Sequence, residues 1–393
     1  MKEGLLLKSV YINATQTFFP NAPVTNDQIE NVLGMVRGKP SRSKSVVLAS
    51  NQIKTRYYAI DPITRSATHS NAQLAAQAIH DLFQNNPLLD LKKTEVLCVG
   101  TTVPDLILPG HGQMVQGELP HFSGEVFSSA GVCCSSMSAL KTAYLSVRAG
   151  NSTNAVVTGS EASSKLMRAE MFETESEENF KALEKNPMVA FEHDFLRWML
   201  SDGAAAVYLS NEEIPGQVNL KINWIEGRSY ANEQAVCMYA GGERQSDGKI
   251  ASWQDLRLAE DSAAPPAKFL MNLRQDIRQL REMIPVYTVE KPLPELKKKY
   301  GLHPGDYAWF LPHYSSNYFR DTLTDTLKKV DFDIPQDRWF TTLPETGNIG
   351  SASMFTFIDQ LIRNKPLKRG DKILCYVPES ARFSVYYLEL EVV

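Results

Sequence analysis

The chain has 393 residues, of which 43% are hydrophobic and 22% are charged, proportions that are ordinary for a globular protein with a sizeable core. Its formal net charge of −4 predicts no strong attraction to nucleic acid or to an anionic membrane surface. Its five cysteines are odd in number and form no Cys-x-x-Cys pair, which argues against a disulfide framework or a zinc site. The N-terminal apolar run is too short for a signal peptide, and no run approaches membrane-spanning length. We therefore expect a reduced, cytoplasmic protein.

Apolar periodicity predicts alternating strands and helices in the first half of the chain. In chain order, we expect strands over 5–19, 94–100, 125–132, 154–160 and 201–209, and helices over 25–35, 71–83, 113–119 and 135–149. Residues 37–56 form a basic stretch that is expected to be a loop. Residues 162–198 are rich in charge and methionine, which favours an insertion or lid over core structure.

The second half predicts a similar order of elements. We expect strands over 217–226, 306–311, 338–343, 371–377 and 384–392, helices over 267–283, 291–300, 317–329 and 351–363, and a loop over 240–262. The order of strands and helices therefore repeats, which predicts an α/β protein of two duplicated βαβαβ-type halves, 1–212 and 213–393, packed about a pseudo-twofold axis. In such sheets, ligands bind beyond the carboxyl ends of the strands.

One stretch, Phe127 to Tyr144, carries the most chemistry. An apolar run ends at Gly131-Val132, two cysteines follow, and a helical pattern begins at once. The free N–H groups and the dipole of a helix start would favour a thiolate at Cys133 or Cys134, and a spare N–H could hold an oxyanion. The alternative is that both are small buried side chains under a helix.

Five short motifs, in order, resemble those of thiolase-fold condensing enzymes of the β-ketoacyl-acyl-carrier-protein synthase III type. They are Thr101-Thr-Val-Pro-Asp with Pro109, the spacing Phe127…Cys133…Ala139-Leu140, Ser201-Asp-Gly-Ala-Ala-Ala, Trp309-Phe-Leu-Pro-His313, and Gly347-Asn-Ile-Gly-Ser-Ala-Ser353. Lys368-Arg-Gly-Asp371 adds a further match. The resemblance implies the thiolase fold in an αβαβα layered arrangement, and it selects Cys133 over Cys134.

The resemblance also implies a mechanism. Cys133 would take an acyl group from a thioester, and His313 and Asn348 would stabilise the enolate of a second thioester, usually a malonyl unit on acyl carrier protein. The attack would give a β-keto thioester by Claisen condensation. Substrates would be thioesters of acyl carrier protein or coenzyme A, with no cofactor and no metal. Members of this family are typically homodimers, with the loop around Leu108-Pro109 reaching into the partner's pocket.

Several departures from the family favour a secondary-metabolism branch, and the dialkylresorcinol- and cyclohexanedione-forming ketosynthases are the branch we would name. A turn with the new charges Glu379 and Arg382 replaces the family's Gly-rich turn, so the backbone of Ser380 becomes the candidate second oxyanion donor beside that of Cys133. Glu161 is a candidate for proton transfer, and its alternative is a buried structural carboxylate.

Further candidates come from the flanking segments. Arg37, Lys54 and Arg56 are candidate contacts for a carrier or coenzyme, with a solvated loop as the alternative, and the absence of an early tryptophan favours carrier-bound substrates. Leu108 and Met199 are candidates for the pocket lining. Two other functions remain open: ester- or amide-forming acyl transfer on the same fold, and a non-catalytic subunit of a heteromeric synthase.

Overall fold

In a computed structural model of the protein, residues 7–172, 195–258 and 270–393 are described. The strands are β1 (Tyr11–Phe18), β2 (Val24–Thr25), β3 (Thr55–Arg56), β4 (Val96–Thr101), β5 (Glu125–Ala130), β6 (Asn154–Glu161), β7 (Gly203–Ser210), β8 (Leu220–Ser229), β9 (Met238–Tyr239), β10 (Gly242–Arg244), β11 (Ile250–Ser252), β12 (Arg274–Gln275), β13 (Tyr307–Pro312), β14 (Lys372–Glu379) and β15 (Ser384–Val392). The α-helices are α1 (Ile29–Leu33), α2 (Lys44–Asn51), α3 (Asn71–Asn85), α4 (His111–Gly117), α5 (Ser135–Ala149), α6 (Trp253–Leu258), α7 (Ile277–Pro285), α8 (Pro292–Tyr300), α9 (Arg320–Lys329), α10 (Leu343–Thr346) and α11 (Ser353–Asn364). A π-helical turn, Val286–Glu290, joins α7 to α8.

The main sheet shows the duplication directly. Its nine strands run in the order β13-β14-β15-β8-β1-β7-β6-β4-β5, and the antiparallel pair β1–β8 joins the two halves at its centre. Outward from β1, two antiparallel pairings are followed by the parallel pairings β6–β4 and β4–β5. Outward from β8, two antiparallel pairings are followed by the parallel pairing β14–β13. The repeat predicted from the order of elements is confirmed, while its boundary at residues 212 and 213 stays a prediction.

Among the described residues, helices and strands pack together in three apolar clusters. The central cluster contains α5 and α11 together with strands of both halves, because both helices are apolar on more than one side: Met137 and Ala139 in α5, and Phe355 and Leu361 in α11, are all fully buried. A second cluster packs α3 on the N-terminal half, and a third packs 280–296 and α9 on the C-terminal half. Helices therefore lie between and outside the two halves of the sheet, as the layered arrangement requires.

The strand predicted over 338–343 is wrong. The chain there makes a single parallel bridge, Phe310 to Trp339, with one hydrogen bond from the Phe340 N–H to the Phe310 carbonyl at 2.9 Å. A 3₁₀ turn precedes it, and α10, with Pro344 in its first turn, follows it. This segment lies outside the edge strand β13. Among the described residues no further strand of the sheet lies on its other side, so its pairing is limited to one bridge.

Three other segments differ from the predictions. Residues 37–56 are not all loop, since α2 forms there around the fully buried Val47. Residues 240–258 contain the hairpin β10–β11 and α6. The helix predicted over 267–283 is not continuous: 267–269 lie outside the described residues, 271–276 are not helical and include β12, and α7 begins at Ile277. The Asp276 side chain caps α7 by accepting from the Gln279 N–H at 2.9 Å. Of the predicted lid, 173–194 lie outside the described residues, and the flanking 3₁₀ turns pack into the core through Met167 and Trp198.

Candidate active site

The Cys133 elbow (131–135) follows β5 and leads into α5. It closes through a hydrogen bond from the Ser135 N–H to the Val132 carbonyl at 3.0 Å, and Cys134 is the residue at the N-cap of α5. Cys134 is 4% exposed, and its thiol donates to the Val377 carbonyl at 3.2 Å. Cys133 is only partly buried and lines two cavities. Its sulfur is therefore the accessible one of the pair.

The environment of the Cys133 thiol opposes the predicted thiolate. Burial raises the pKa of the Cys133 thiol well above its ordinary value, and the carboxylates of Glu161 and Glu379 raise that pKa further. These effects outweigh the favourable helix start, so the resting group is a neutral thiol. The proton must leave as the sulfur attacks, which requires a base at the cavity wall.

His313 is suited to accept that proton. It follows β13 directly, its backbone N–H donates to the Tyr376 carbonyl at 2.8 Å, and it is 2% exposed. Burial lowers the pKa of its imidazole to about 4, because the charged form loses its hydration. The ring is therefore neutral near pH 7, with one nitrogen able to accept a proton and the other able to donate a hydrogen bond.

Asn348 lies on the second elbow (347–352, the Asn348 elbow), between α10 and α11. Its backbone N–H donates to the Met199 carbonyl, and its own carbonyl accepts from the Ser201 N–H, both at 2.9 Å. Its side-chain oxygen accepts from the Gly350 N–H at 3.0 Å. This contact fixes the orientation of the amide, so its NH₂ group is the part available to donate towards a substrate.

The two cavities share the residues Cys133, Ser315 and Ser380. The first cavity also contains His313 and is otherwise mainly apolar, with Leu280, Ile284, Phe319, Leu323 and Tyr376 in its wall. The second contains Asn348 and Glu161 and is lined by Leu166, Leu196, Met199, Leu200, Met238 and Leu273. Both cavities therefore present apolar walls to the same thiol, and the predicted lining residue Met199 lies in one of them.

The turn that replaces the Gly-rich turn is anchored by Cys237, Met238 and Gln275. The Ala381 carbonyl accepts from the N–H groups of Cys237 and Met238 at 2.8 and 3.2 Å, and the Ser380 hydroxyl accepts from the Gln275 side chain at 2.8 Å. Arg382 is exposed and donates to the Gln234 carbonyl at 3.0 Å, so its charge points away from the cavities. Ser380 lines both cavities beside Cys133, which is where the predicted second N–H donor to an oxyanion would have to lie.

Glu161 ends β6 and lines the second cavity at 3% exposure. Its carboxylate accepts from the Thr102 N–H and hydroxyl and from the Ser351 N–H. Burial raises the pKa of this carboxyl to about 7 despite those donors. The hydrogen bonds of Glu161 are those expected of a buried structural carboxylate. Its position in the cavity wall and its pKa of about 7 also suit a group that transfers a proton.

One of the predicted contacts is wrong, and one lies outside the cavities of its own chain. Leu108 is 81% exposed and lines neither of these cavities, so its expected place in a partner's pocket stays a prediction. Arg56 is fully buried: its guanidinium donates to the Trp198 carbonyl at 2.6 and 3.0 Å and to the Asn26 side chain at 2.6 Å, so it cannot meet a carrier or coenzyme. Arg37 is half-buried and Lys54 exposed, and their role as carrier contacts stays a prediction.

Sequence reasoning missed Ser315 and Gln275, which lie at the junction of the cavities or beside it. Ser315 could have been found, since it stands two residues after the candidate catalytic residue His313. Gln275 carries no sequence signal. Within the described ranges, no helix is long and apolar enough to cross a membrane, and no group of three or more His, Cys, Asp or Glu side chains could hold a metal ion.

Comparisons with known proteins bear on the fold and on residues 297–377. Residues 297–377 match the family model described as the C-terminal region of 3-oxoacyl-[acyl-carrier-protein] synthase III. Among solved structures, AbyA1, a tetronic acid condensing enzyme, is 18% identical with a TM-score of 0.72, covering 97% of this chain and 99% of its own. β-Ketoacyl-[acyl-carrier-protein] synthase III of Thermus thermophilus is 18% identical at 0.69, covering 97% and 98%. A histidine-to-aspartate variant of Xanthomonas campestris OleA is 19% identical at 0.73, covering 98% and 99%.

At these identities the solved structures bear on the fold, and they confirm the one expected from the motifs. The segment that matches the family model is the one that carries His313 and Asn348. The chain therefore has the thiolase fold, and residues 297–377 are similar to the C-terminal region of 3-oxoacyl-[acyl-carrier-protein] synthase III.

Proposed function

We propose that the protein is a condensing enzyme that forms a carbon–carbon bond between two acyl groups, with the first held as a thioester on Cys133. The observation that carries the proposal is the meeting of two apolar cavities at one accessible thiol, with His313 in the wall of one and Asn348 in the wall of the other. Apolar clefts of this kind suit acyl chains, which gain mainly by leaving water.

The first half-reaction would load the enzyme. The Cys133 sulfur attacks the carbonyl carbon of an incoming thioester while neutral His313 takes the thiol proton. The developing oxyanion is held by the backbone N–H groups of Cys133 and Ser380, and the leaving thiol takes the proton from the imidazolium. Acyl carrier protein or coenzyme A would supply that thioester. In this step Cys133 forms the covalent bond, His313 carries the proton, and the two backbone N–H groups hold the oxyanion.

The second half-reaction would join the chains. The thioester oxygen of the second substrate accepts from the Asn348 amide and the His313 ring, which lowers the energy of its enolate. The enolate carbon attacks the acyl carbon on Cys133, the carbon–sulfur bond breaks, and a β-keto thioester leaves. Asn348 favours this reaction over ester or amide formation, because such a transfer needs the thiol and a base but no enolate donor.

The pair of apolar cavities favours a second substrate that also carries an acyl chain. A short malonyl unit would leave one apolar cavity unfilled, whereas two longer chains would bury both walls. This supports the dialkylresorcinol- and cyclohexanedione-forming branch, in which two acyl chains are joined before a ring closes. The active unit would be a homodimer, with the exposed apolar loop of Leu106, Ile107 and Leu108 covered by the partner.

Intact-protein mass spectrometry tests the proposal. Wild type, Cys133→Ala and Cys134→Ala are incubated with acyl thioesters of several chain lengths, on coenzyme A and on carrier protein. We expect a stable mass gain that is lost only in Cys133→Ala. A folded wild-type protein that no thioester loads would contradict the proposal and favour a non-catalytic subunit, and loading lost only in Cys134→Ala would show that the other thiol reacts.

A further inference from the structure

The two oxygens of the Glu161 carboxylate have unequal surroundings. Oε1 accepts three hydrogen bonds: from the Thr102 hydroxyl at 2.6 Å, from the Thr102 N–H at 3.1 Å and from the Ser351 N–H at 3.0 Å. Among the described residues, Oε2 accepts a longer hydrogen bond, from the same Thr102 N–H at 3.3 Å. A carboxylate with a purely structural role is expected to have both oxygens well satisfied when it is buried. Here one oxygen is anchored and the other keeps lone pairs to offer.

The anchors come from both halves of the protein and fix the position of the carboxylate. Thr102 directly follows β4, and Ser351 belongs to the Asn348 elbow. Gly350, at φ +49°, packs against the carboxylate so closely that a Cβ would lie 2.7 Å from Oε1. Glu161 is thus held by the elbow that carries Asn348, and it lines the same cavity as Asn348 and Cys133.

We propose that Glu161 is the base that removes the α-proton of the second acyl thioester, so that the second substrate enters with an ordinary α-methylene group and not as a malonyl unit. This inference rests on the proposed function and deepens it by naming the class of the second substrate. A base is needed only in that case, because a malonyl unit forms its enolate by losing carbon dioxide.

The step balances without any further reactant. Glu161 Oε2 takes the α-hydrogen as a proton, and the carbon–hydrogen electron pair becomes the enolate whose oxygen accepts from the Asn348 amide. The enolate carbon bonds to the acyl carbon, and the bond between that carbon and the Cys133 sulfur breaks. The sulfur leaves as thiolate and takes the proton from the Glu161 carboxylic acid. Both groups then return to their starting forms.

The charge state of Glu161 agrees with this role. Burial raises the pKa of its carboxyl to about 7, so that an appreciable fraction is ionised at neutral pH while the base is stronger than an exposed carboxylate. The titratable groups near Glu161 are Cys133 and His313 in the cavity walls and Glu379 beside the Cys133 elbow. The pKa of Cys133 is raised and that of His313 lowered, so both are neutral near pH 7.

Hydrogen–deuterium exchange at the α-carbon tests the proposal separately from condensation. Octanoyl-coenzyme A is incubated in deuterium oxide with Cys133→Ala, which can bind the thioester but cannot form an acyl-enzyme. Deuterium entry into the recovered thioester is followed by mass spectrometry. We expect exchange well above the protein-free rate, and a loss of about 10²–10⁴-fold in Cys133→Ala/Glu161→Gln.

The matched control is Cys133→Ala/Glu379→Gln. Glu379 is the other carboxylate close to Cys133, but it lines neither cavity, so its removal changes the local charge without removing the base. This variant is expected to keep the exchange. A thermal melt and the loading of Cys133 in Glu161→Gln show whether that substitution leaves the protein folded and the first half-reaction intact.

Two outcomes would overturn the proposal. One is exchange that persists in Cys133→Ala/Glu161→Gln. The other is no exchange in Cys133→Ala while the loaded wild type condenses with a malonyl thioester and Glu161→Gln does so equally well. Both leave the condensing function in place, whereas a wild type that no thioester loads removes the function itself.

Discussion

The Cys133 elbow and the Asn348 elbow occupy equivalent places in the two halves, yet they are built differently. The first follows a full strand, β5, and carries a thiol that is accessible from two cavities. The second follows only a single bridge and the short α10, and its Asn348 is 4% exposed and held by backbone contacts. A nucleophile must reach its substrate, whereas a hydrogen-bond donor must be fixed in place. The difference indicates that the duplication set the location of each group and that local packing set its chemistry.

The most severe test of this comparison removes the functional side chain of each elbow in turn. Cys133→Ala should abolish both loading and condensation. Asn348→Ala should still load Cys133 but lower the rate of condensation by about 10²–10³-fold, because the enolate loses one fixed donor. Loading is followed by intact mass and condensation by release of the β-keto product. An Asn348→Ala variant that loads as poorly as Cys133→Ala would contradict the division of labour.

The backbone of the Asn348 elbow should tolerate little change. Gly347 has φ +70°, and a Cβ there would lie 2.9 Å from the Ser201 Cβ and 3.0 Å from the Arg56 Cγ. Gly347→Ala should therefore lower the free energy of unfolding by about 1–3 kcal/mol, measured by urea denaturation. Gly117→Ala is the control, since nothing lies within 4 Å of its Cβ. Equal stability of the two variants would show that this elbow is not constrained as described.

The Cys133 elbow should instead respond to charge. The carboxylate of Glu379 raises the pKa of the Cys133 thiol, so Glu379→Gln should lower that pKa and increase the thiolate fraction at any pH below it. We expect alkylation of Cys133 by iodoacetamide at pH 7 to become up to about tenfold faster, which corresponds to one pKa unit. Glu118→Gln, at an exposed site, is the control. A slower or unchanged reaction would contradict the proposed effect of the Glu379 carboxylate on the pKa of the thiol.

The smallest effect is expected at the neighbouring thiol. Cys134→Ala removes a buried sulfur and its hydrogen bond to the Val377 carbonyl, which should cost about 1 kcal/mol of unfolding free energy. Loading of Cys133 should stay within about twofold of wild type, because Cys134 lies outside both cavity walls. A large loss of loading would mean that the second sulfur takes part in the chemistry.

Much of the fold followed from local patterns. The helix over 135–149 was predicted to the residue, and the repeat in the order of elements predicted the duplicated sheet. The strand over 338–343 was predicted wrongly, because alternating apolar residues cannot reveal whether a neighbouring strand is there to pair with. The start of α7 at Ile277 coincides with a capping side chain, Asp276, and the pairing of β12 with β9 just before it is a tertiary contact that a local helical pattern does not contain.

The candidate site divides in the same way. Motifs placed Cys133, His313 and Asn348 in the chain, and Glu161 was a candidate from its position beside the strand that carries the nucleophile. The fold brings all four to the walls of two cavities that share Cys133. Basic residues predicted the carrier contacts less well. Arg56 lies in a basic stretch that is typical of a surface contact, but its guanidinium is buried and donates to the Trp198 carbonyl. Side-chain type alone does not tell whether a charge faces solvent, because this depends on segments far away in the chain.

By itself, the sequence determined the alternation of strands and helices, the repeat and the residues that can carry the chemistry, because periodicity and motif spacing are local properties. Tertiary structure decided which cysteine is accessible, that the thiol is neutral at rest, and that one oxygen of Glu161 is anchored while the other is open. These properties arise from burial and from contacts between the two halves. Each of them depends on groups hundreds of residues apart, which only the folded chain brings together.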